Sequence, residues 1–331
     1  MKITILHTEL GGTGGALNCI LIANKFVCEG HDVKIFVASM SPESIRELIL
    51  ASLSPLQDFN PQMDADATIA FNMTSLLQPL FLQAKGRKFF RFGLMHPEYQ
   101  VVMDDKNVTK IATTSYGKTY VEKVPTTKNV VAIPGPTNPT DFFPEEMQRS
   151  NIVLTYLKKS GWVAVDAINR VQDALPSIVF ASMTDDGLSS LPIKSRYPIA
   201  ILGAPAHLKS HVRYCYGRAG VFVDTHSNGP WGWNCCVGEA MLTGCPVVCT
   251  DSAEFSDLII PNETALAVKC DDAPEYPNDS WMTRPAPQAV ADGIITLLQD
   301  RELCARLTTN ALEQARTFDV NNWYSEFMKL W

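Results

Sequence analysis

The sequence predicts an α/β protein built as two successive Rossmann-like lobes, and three observations carry that expectation. First, residues 2–7 form a short apolar strand that runs into Gly11-Gly12-Thr13-Gly14-Gly15, then a helical pattern over 16–29 and a second apolar strand over 33–38. That is one βαβ unit, and it requires a parallel sheet. Second, a fresh alternation of strand and helix patterns starts near Ile152. Third, Pro134-Gly135-Pro136-Thr137-Asn138-Pro139 lies between the two alternations as the densest run of turn residues, the mark of a linker. At 331 residues the chain also exceeds the usual size of one domain.

In the first lobe, Leu17, Ile20, Leu21, Asn24 and Val27 fall at helical spacing, and Gly30 caps the helix they define. Further strands are expected over 67–71, 88–94, 110–114 and 130–133, with helices near 42–53, 74–84 and 115–123. In the second lobe, strands over 152–156, 178–181, 199–202, 221–224 and 247–250 alternate with helices over 162–174, 207–217 and 233–243.

Composition narrows the function classes. Hydrophobic residues make up 46% and charged residues 19%, as in an ordinary globular protein with a sizeable core. A formal charge of -7 argues against a nucleic-acid partner, which a basic face normally meets. The main basic cluster, Lys85, Arg87, Lys88 and Arg91, reads as a solvated helix-to-strand turn, the alternative being contact with a phosphate or a membrane surface. No apolar run approaches the roughly 20 residues of a membrane-spanning helix, and no signal-peptide pattern opens the chain. Nine scattered cysteines without a Cys-x-x-Cys pair suggest a reduced, cytoplasmic chain, with membrane contact at most peripheral.

The glycine loop is not a dinucleotide fingerprint. Leu17 stands where the third glycine of G-x-G-x-x-G belongs, and Val37-Ala38-Ser39 lacks the acid that would hold a ribose. A glycine loop opening a helix still lets backbone N–H groups approach an anion closely. The alternative is a tight turn needing positive φ, which accounts for one or two of these glycines but not readily for four.

Residues 219–250 carry the stronger signal. The buried strand Val221-Phe222-Val223 runs into a polar, glycine-rich loop, and the loop runs into a helix bearing Glu239. Such a loop lies at the carboxyl edge of an open parallel sheet, where ligands bind. Amides near Asn234 and Cys235 would face a diphosphate, and Glu239 would accept hydrogen bonds from ribose hydroxyls. Elsewhere, His207 and His211 sit four apart on an expected helix, half a zinc site without a third ligand in reach. The stripe Phe318, Trp323, Tyr324, Phe327 and Trp331 reads as the packing face of a terminal helix.

The run Glu239-Ala240-Met241, Gly244, Pro246-Val247-Val248, followed by Thr250 and Glu254, resembles the nucleotide-binding core of the family 4 retaining glycosyltransferases. Gly14-Gly15 before Glu29-Gly30-His31-Asp32-Val33, the segment from Ile133 through Pro144, Lys158-Lys159-Ser160-Gly161 and the tail from Ala289 are similar to other parts of that family. The resemblance implies the GT-B fold: two Rossmann-like lobes with a cleft between them and a C-terminal helix crossing back to the first. It implies lobes over 1–140 and 141–310, with 311–331 as the returning helix. It also implies transfer of a sugar from UDP or GDP to a glycan, lipid-linked sugar or small-molecule acceptor, with retention of configuration and without a metal or other cofactor. By the same resemblance Lys158 and Lys159 stabilise the leaving diphosphate, His96 lines the cleft near the reacting sugar, and Gly14 and Gly15 approach the diphosphate or the acceptor.

One departure stands out. The family places a sugar-contacting Glu eight positions before its ribose-binding Glu, and here that position is Trp231. Asn228 and Trp231 must then hold the sugar, by a hydrogen bond and by stacking. The missing acid motivates two rivals: a non-catalytic nucleotide-sugar binding subunit and a sugar-nucleotide epimerase of the same fold.

Overall fold

The computed structural model describes the chain except for residues 12, 42, 72–73, 75–76, 94–96, 185–194, 204–206, 226–232, 253–254 and 272–283; of residues 41, 43–44, 47, 97, 158–162, 271 and 284 it describes the backbone alone. The chain divides into two compact units. The first comprises Met1–Pro136, the short stretch 233–235 and Phe318–Trp331; the second comprises the rest of the described chain from Thr137 to Thr317. The first division falls inside the proline-rich run.

The first unit contains β1 (Lys2–Gly11), α1 (Gly14–Cys28), β2 (Asp32–Ser41), β3 (Ser52–Pro55), β4 (Ala67–Phe71), α2 (Leu77–Gln83), β5 (Arg87–Phe92), α3 (Gln100–Asp104), β6 (Val108–Ala112), α4 (Ser115–Glu122) and β7 (Val130–Ala132). Among the described residues its strands lie in the order β3-β2-β1-β4-β5-β6-β7, every neighbouring pair parallel. Every residue of β4 is buried, as expected of a parallel strand covered on both faces. Where a helix was expected over 42–53, the chain instead makes a 3₁₀ turn, Glu43–Leu48, followed by β3. Ser52, Ser54 and Pro55 disfavour a helix, and an edge strand tolerates the proline.

The second unit contains β8 (Ile152–Thr155), α5 (Leu157–Ala174), β9 (Val179–Ser182), β10 (Ile199–Ile201), α6 (Lys209–Arg218), β11 (Val221–Asp224), α7 (Cys235–Leu242, all but its first residue), β12 (Val247–Asp251), β13 (Leu266–Asp271), β14 (Arg284–Pro285), α8 (Pro287–Gln299) and α9 (Arg301–Arg316). Its order is β10-β9-β8-β11-β12-β13-β14, parallel except for the short β14 at the edge. Helices α5 and α8 pack together over a core that includes Val163, Ile168, Phe180, Val223, Val248 and Ile294. Numbered from its own first strand, each sheet begins 3-2-1-4-5-6, the Rossmann order. Gly30 and Gly244, both in the left-handed region (φ 81° and 68°), follow the ends of α1 and α7.

The last helix, α10 (Val320–Met328), belongs to the first unit and lies on α1. The Phe26 ring meets Trp323 at 6.1 Å and Phe327 at 5.2 Å, and Phe327 meets Phe89 of β5 at 4.9 Å. This corrects the face expected for α1. Its buried set is Ala16, Leu17, Asn18, Cys19, Ile20, Ile22, Ala23 and Phe26, whereas Leu21, Asn24 and Val27 are half-buried. With the sheet on one side and α10 on another, no single apolar stripe describes the helix.

Two further expectations change. Helix α5 begins at Leu157, so Lys158 and Lys159 lie in its first turn and not on a loop; Gly161 is absorbed within the helix. Helix α6 begins at Lys209, so His207 precedes it while His211 lies on it, with Nε2 3.2 Å from the Leu202 carbonyl oxygen. Among the described residues no three His, Cys, Asp or Glu side chains come together as a metal site.

Candidate functional site

In the second unit the strand order reverses between β8 and β11. At such a switch point the segments leaving the two strands diverge to opposite faces and open a crevice at the carboxyl edge. Helix α5 leaves β8 there, and residues 225–234 leading to α7 leave β11 there. The N-terminus of α5 is unusual. Tyr156 at the N-cap makes no side-chain capping bond, the first turn holds no acid, and it holds Lys158 and Lys159. Lysines in place of acids in a first turn run against the ordinary sequence preference there. An anion lying against that turn would satisfy both the lysines and the uncapped N–H groups.

Glu239 lies on the second turn of α7 and is buried. Its Oε1 accepts a hydrogen bond from Lys209 Nζ of α6 at 3.2 Å, and that ammonium also lies 5.2 Å from the centre of the Phe142 ring. Burial raises the Glu239 pKa above the ordinary carboxylate value, with Asp141 adding to the rise and Lys209 opposing it. Asp141 is held by Asn138 Nδ2 at 2.7 Å, while Arg213 of α6 donates to the Asp141 carbonyl at 3.0 Å and to Glu145 at 2.7 Å. The segment after the linker is thereby fixed against α6 on the Lys209 side. The sequence reading found Glu239 but not Lys209, which lay unremarked near the start of the helix expected over 207–217.

In the first unit the order reverses between β1 and β4, and α1 opens directly after β1. Thr13 Oγ1 accepts the Ala16 N–H at 3.3 Å and the Thr13 carbonyl accepts the Leu17 N–H at 3.0 Å. The N–H groups of Gly14, half-buried, and Gly15, exposed, stand ahead of those bonds. The positive-φ explanation fails for both, since neither adopts the left-handed region. A Cβ on Gly14 would meet Cys235 Sγ at 3.5 Å, an ordinary contact. Cys235 belongs to this unit, and its Sγ also lies 3.9 Å from Asn18 Nδ2. Asn234, like Cys235, is half-buried.

Arg91 contradicts its assignment to a solvated basic turn. It is only 6% exposed, at the carboxyl end of β5, and its Nη2 donates to Asn18 Oδ1 at 2.6 Å. The sequence missed it because Lys85, Arg87 and Lys88 are its neighbours; the signal was a lone charge inside Phe89-Phe90-Arg91-Phe92. Of the expected site residues, His96, Asn228 and Trp231 lie outside the described residues, as do Gly12 and Glu254.

No protein-family model matches the chain, and no curated protein matches it. Solved structures do. Sucrose-phosphate synthase from Thermosynechococcus elongatus superposes with a TM-score of 0.73 at 13% identity, covering 100% of this chain and 98% of that one. Anabaena HepE in complex with UDP and glucose gives 0.76 at 14%, covering 100% and 99%. WaaG, a glycosyltransferase involved in lipopolysaccharide biosynthesis, gives 0.67 at 12%, covering 99% of each chain. These chains share the GT-B architecture, and this protein has that fold along its whole length.

Proposed function

We propose that the protein is a glycosyltransferase that moves a sugar from a nucleoside diphosphate, UDP or GDP, to an acceptor. The observation that carries the reading is the α5 N-terminus: uncapped by a side chain, free of acids, bearing Lys158 and Lys159, and opening at the switch point of the second sheet. As the glycosidic bond breaks, negative charge builds on the diphosphate. Helix amides and lysine side chains at such a terminus would stabilise that charge and lower the barrier without a metal ion. Glu239 holds the ribose hydroxyls, and Lys209 keeps its carboxylate in place. Retention of configuration, metal independence and a cytoplasmic location belong to the same reading. UDP is favoured as the nucleotide because a structural neighbour, HepE, was solved with UDP-glucose.

Trp231, where the family resemblance expects a sugar-contacting acid, favours one rival: a subunit that binds a nucleotide sugar and transfers nothing. A thermal-shift screen of UDP, GDP and their sugars is the first test of the proposal. A ligand at a hundred times its dissociation constant stabilises by about 2.7 kcal/mol, which raises the melting temperature plainly. No shift with any of them would remove the nucleotide-sugar reading.

A further inference from the structure

The first unit holds a charge that its own fold leaves unanswered. Arg91 is 6% exposed, and among the described residues no carboxylate pairs with it. Its described contacts are the Asn18 oxygen at 2.6 Å and the face of Phe71, whose centre lies 5.4 Å from the guanidinium carbon. Among the described residues the buried Nε has no hydrogen-bond partner. Removing a guanidinium from water without a counter-charge is costly, and the burial pulls its pKa down to about 10.

His7 of β1 lies on the same aromatic ring, 6.2 Å from Phe71 centre to centre, and is 4% exposed. Its Nδ1 accepts the Glu9 N–H at 3.1 Å, so in the neutral ring the proton sits on Nε2. Burial, aided by Arg91, lowers the His7 pKa to about 4, which keeps the ring neutral. The Nε2–H is thus a buried donor, and among the described residues it too has no partner.

His7, Phe71 and Arg91 are register partners on neighbouring strands. His7 and Phe71 lie on β1 and β4, the two strands that flank the switch point of this sheet. Asn18, which Arg91 grips, follows Gly14 by four residues on α1 and so shares its face, where the Gly14 and Gly15 N–H groups open the helix. Arg91 Nε, His7 Nε2–H and the Gly14 and Gly15 N–H groups are all donors.

We propose that Arg91, His7 Nε2 and the N-terminal amides of α1 form a second oxyanion site, one that takes a phosphate group of a bound substrate. Calling the anion a substrate phosphate rests on the transferase reading; the site itself does not. The phosphate belongs either to the nucleotide or to an acceptor that is itself a phosphate ester, and competition between inorganic phosphate and UDP separates the two.

The test is calorimetric titration of inorganic phosphate, with melting curves, on the full chain and on Arg91→Met and His7→Phe. The site predicts that Arg91→Met weakens phosphate binding about tenfold or more, the scale for losing a charged hydrogen bond. It also predicts that Arg91→Met melts no lower than wild type in phosphate-free buffer, because a buried uncompensated charge has been removed. His7→Phe keeps the buried ring, and weakens phosphate by a smaller factor. Phosphate that binds the UDP-saturated protein unchanged assigns the site to the acceptor; phosphate that UDP displaces assigns it to the donor diphosphate. Both results support the site. An Arg91→Met protein that melts well below wild type, or variants that bind phosphate as tightly as wild type, would overturn it. UDP binding that depends on Glu239 would survive that failure, so the two proposals stand or fall apart.

Discussion

Glu239 and Lys209 form the pair on which nucleotide binding is predicted to turn. The side chains are 12% and 23% exposed and meet at 3.2 Å. Glu239→Ala removes the acceptor for the ribose hydroxyls, a charged hydrogen-bond partner worth about 1.5–3 kcal/mol, so UDP affinity falls roughly 10- to 150-fold. The same change removes the carboxylate that Lys209 Nζ meets at 3.2 Å. A fully buried pair broken on one side costs about 3–5 kcal/mol, but a lysine this exposed recovers part of its hydration, which leaves a loss of stability nearer 1–2 kcal/mol. Lys209→Met should weaken UDP less than Glu239→Ala, because the carboxylate remains and only its orientation suffers. In the double variant the UDP loss should match that of Glu239→Ala alone. Calorimetry with UDP gives the affinities and urea unfolding gives the stabilities. A folded Glu239→Ala protein that binds UDP as wild type does would refute the assignment, and additive losses in the double variant would refute the positioning role of Lys209.

Three further outcomes follow from the same geometry. Phe327 is fully buried between Phe26 and Phe89, so Phe327→Ala should destabilise the protein by about 3–5 kcal/mol in urea unfolding. Arg149 donates to the carbonyls of Tyr216 at 3.1 Å, Ala219 at 2.9 Å and Thr243 at 3.2 Å, and also to that of Gly244, closing the ends of α6 and α7. Arg149→Met should lower the urea midpoint by the equivalent of about 2–3 kcal/mol with little change in slope. The Glu239 pKa is raised in the fold, so its contribution to stability is present below the ordinary value of 4.5 and lost as pH rises through the higher folded value. UDP binding needs the ionised form and runs the other way, weakening as pH falls through that raised value. A calorimetric pH series on wild type and Glu239→Gln checks this, the variant being flat over that window.

The legible parts of the fold were those fixed by local sequence. The strand over 67–71 was read to the residue because Ala67-Thr68-Ile69-Ala70-Phe71 is a short, mostly apolar run bounded by polar segments, and the structure buries it on both faces. The start of α5 was missed because Lys158-Lys159-Ser160-Gly161 has the composition of a loop, while β8 in fact passes into the helix after Tyr156. The buried face of α1 was missed because its second cover, α10, comes from the far end of the chain. The candidate site divides in the same way. Glu239 and the glycines announce themselves by spacing, whereas Lys209 and Arg91 acquire their meaning only from what the fold packs against them. An arginine near three other basic residues reads as solvated charge until its burial is known, and a lysine on an expected helix carries no mark of the carboxylate it will meet.

Donor turnover without acceptor tests the central claim most directly. The full-length chain is incubated with each UDP- and GDP-sugar, and release of nucleoside diphosphate is followed for wild type and for Lys158→Ala/Lys159→Ala. The account predicts slow hydrolysis of one donor by wild type, with the double variant slower by about a hundredfold or more, the scale for losing an electrostatic contact to charge that develops in the transition state. Affinity for that nucleotide sugar should fall by less. A wild type that binds a nucleotide sugar tightly, hydrolyses none and transfers to no acceptor in a broad panel would contradict the account and make the protein a binding subunit.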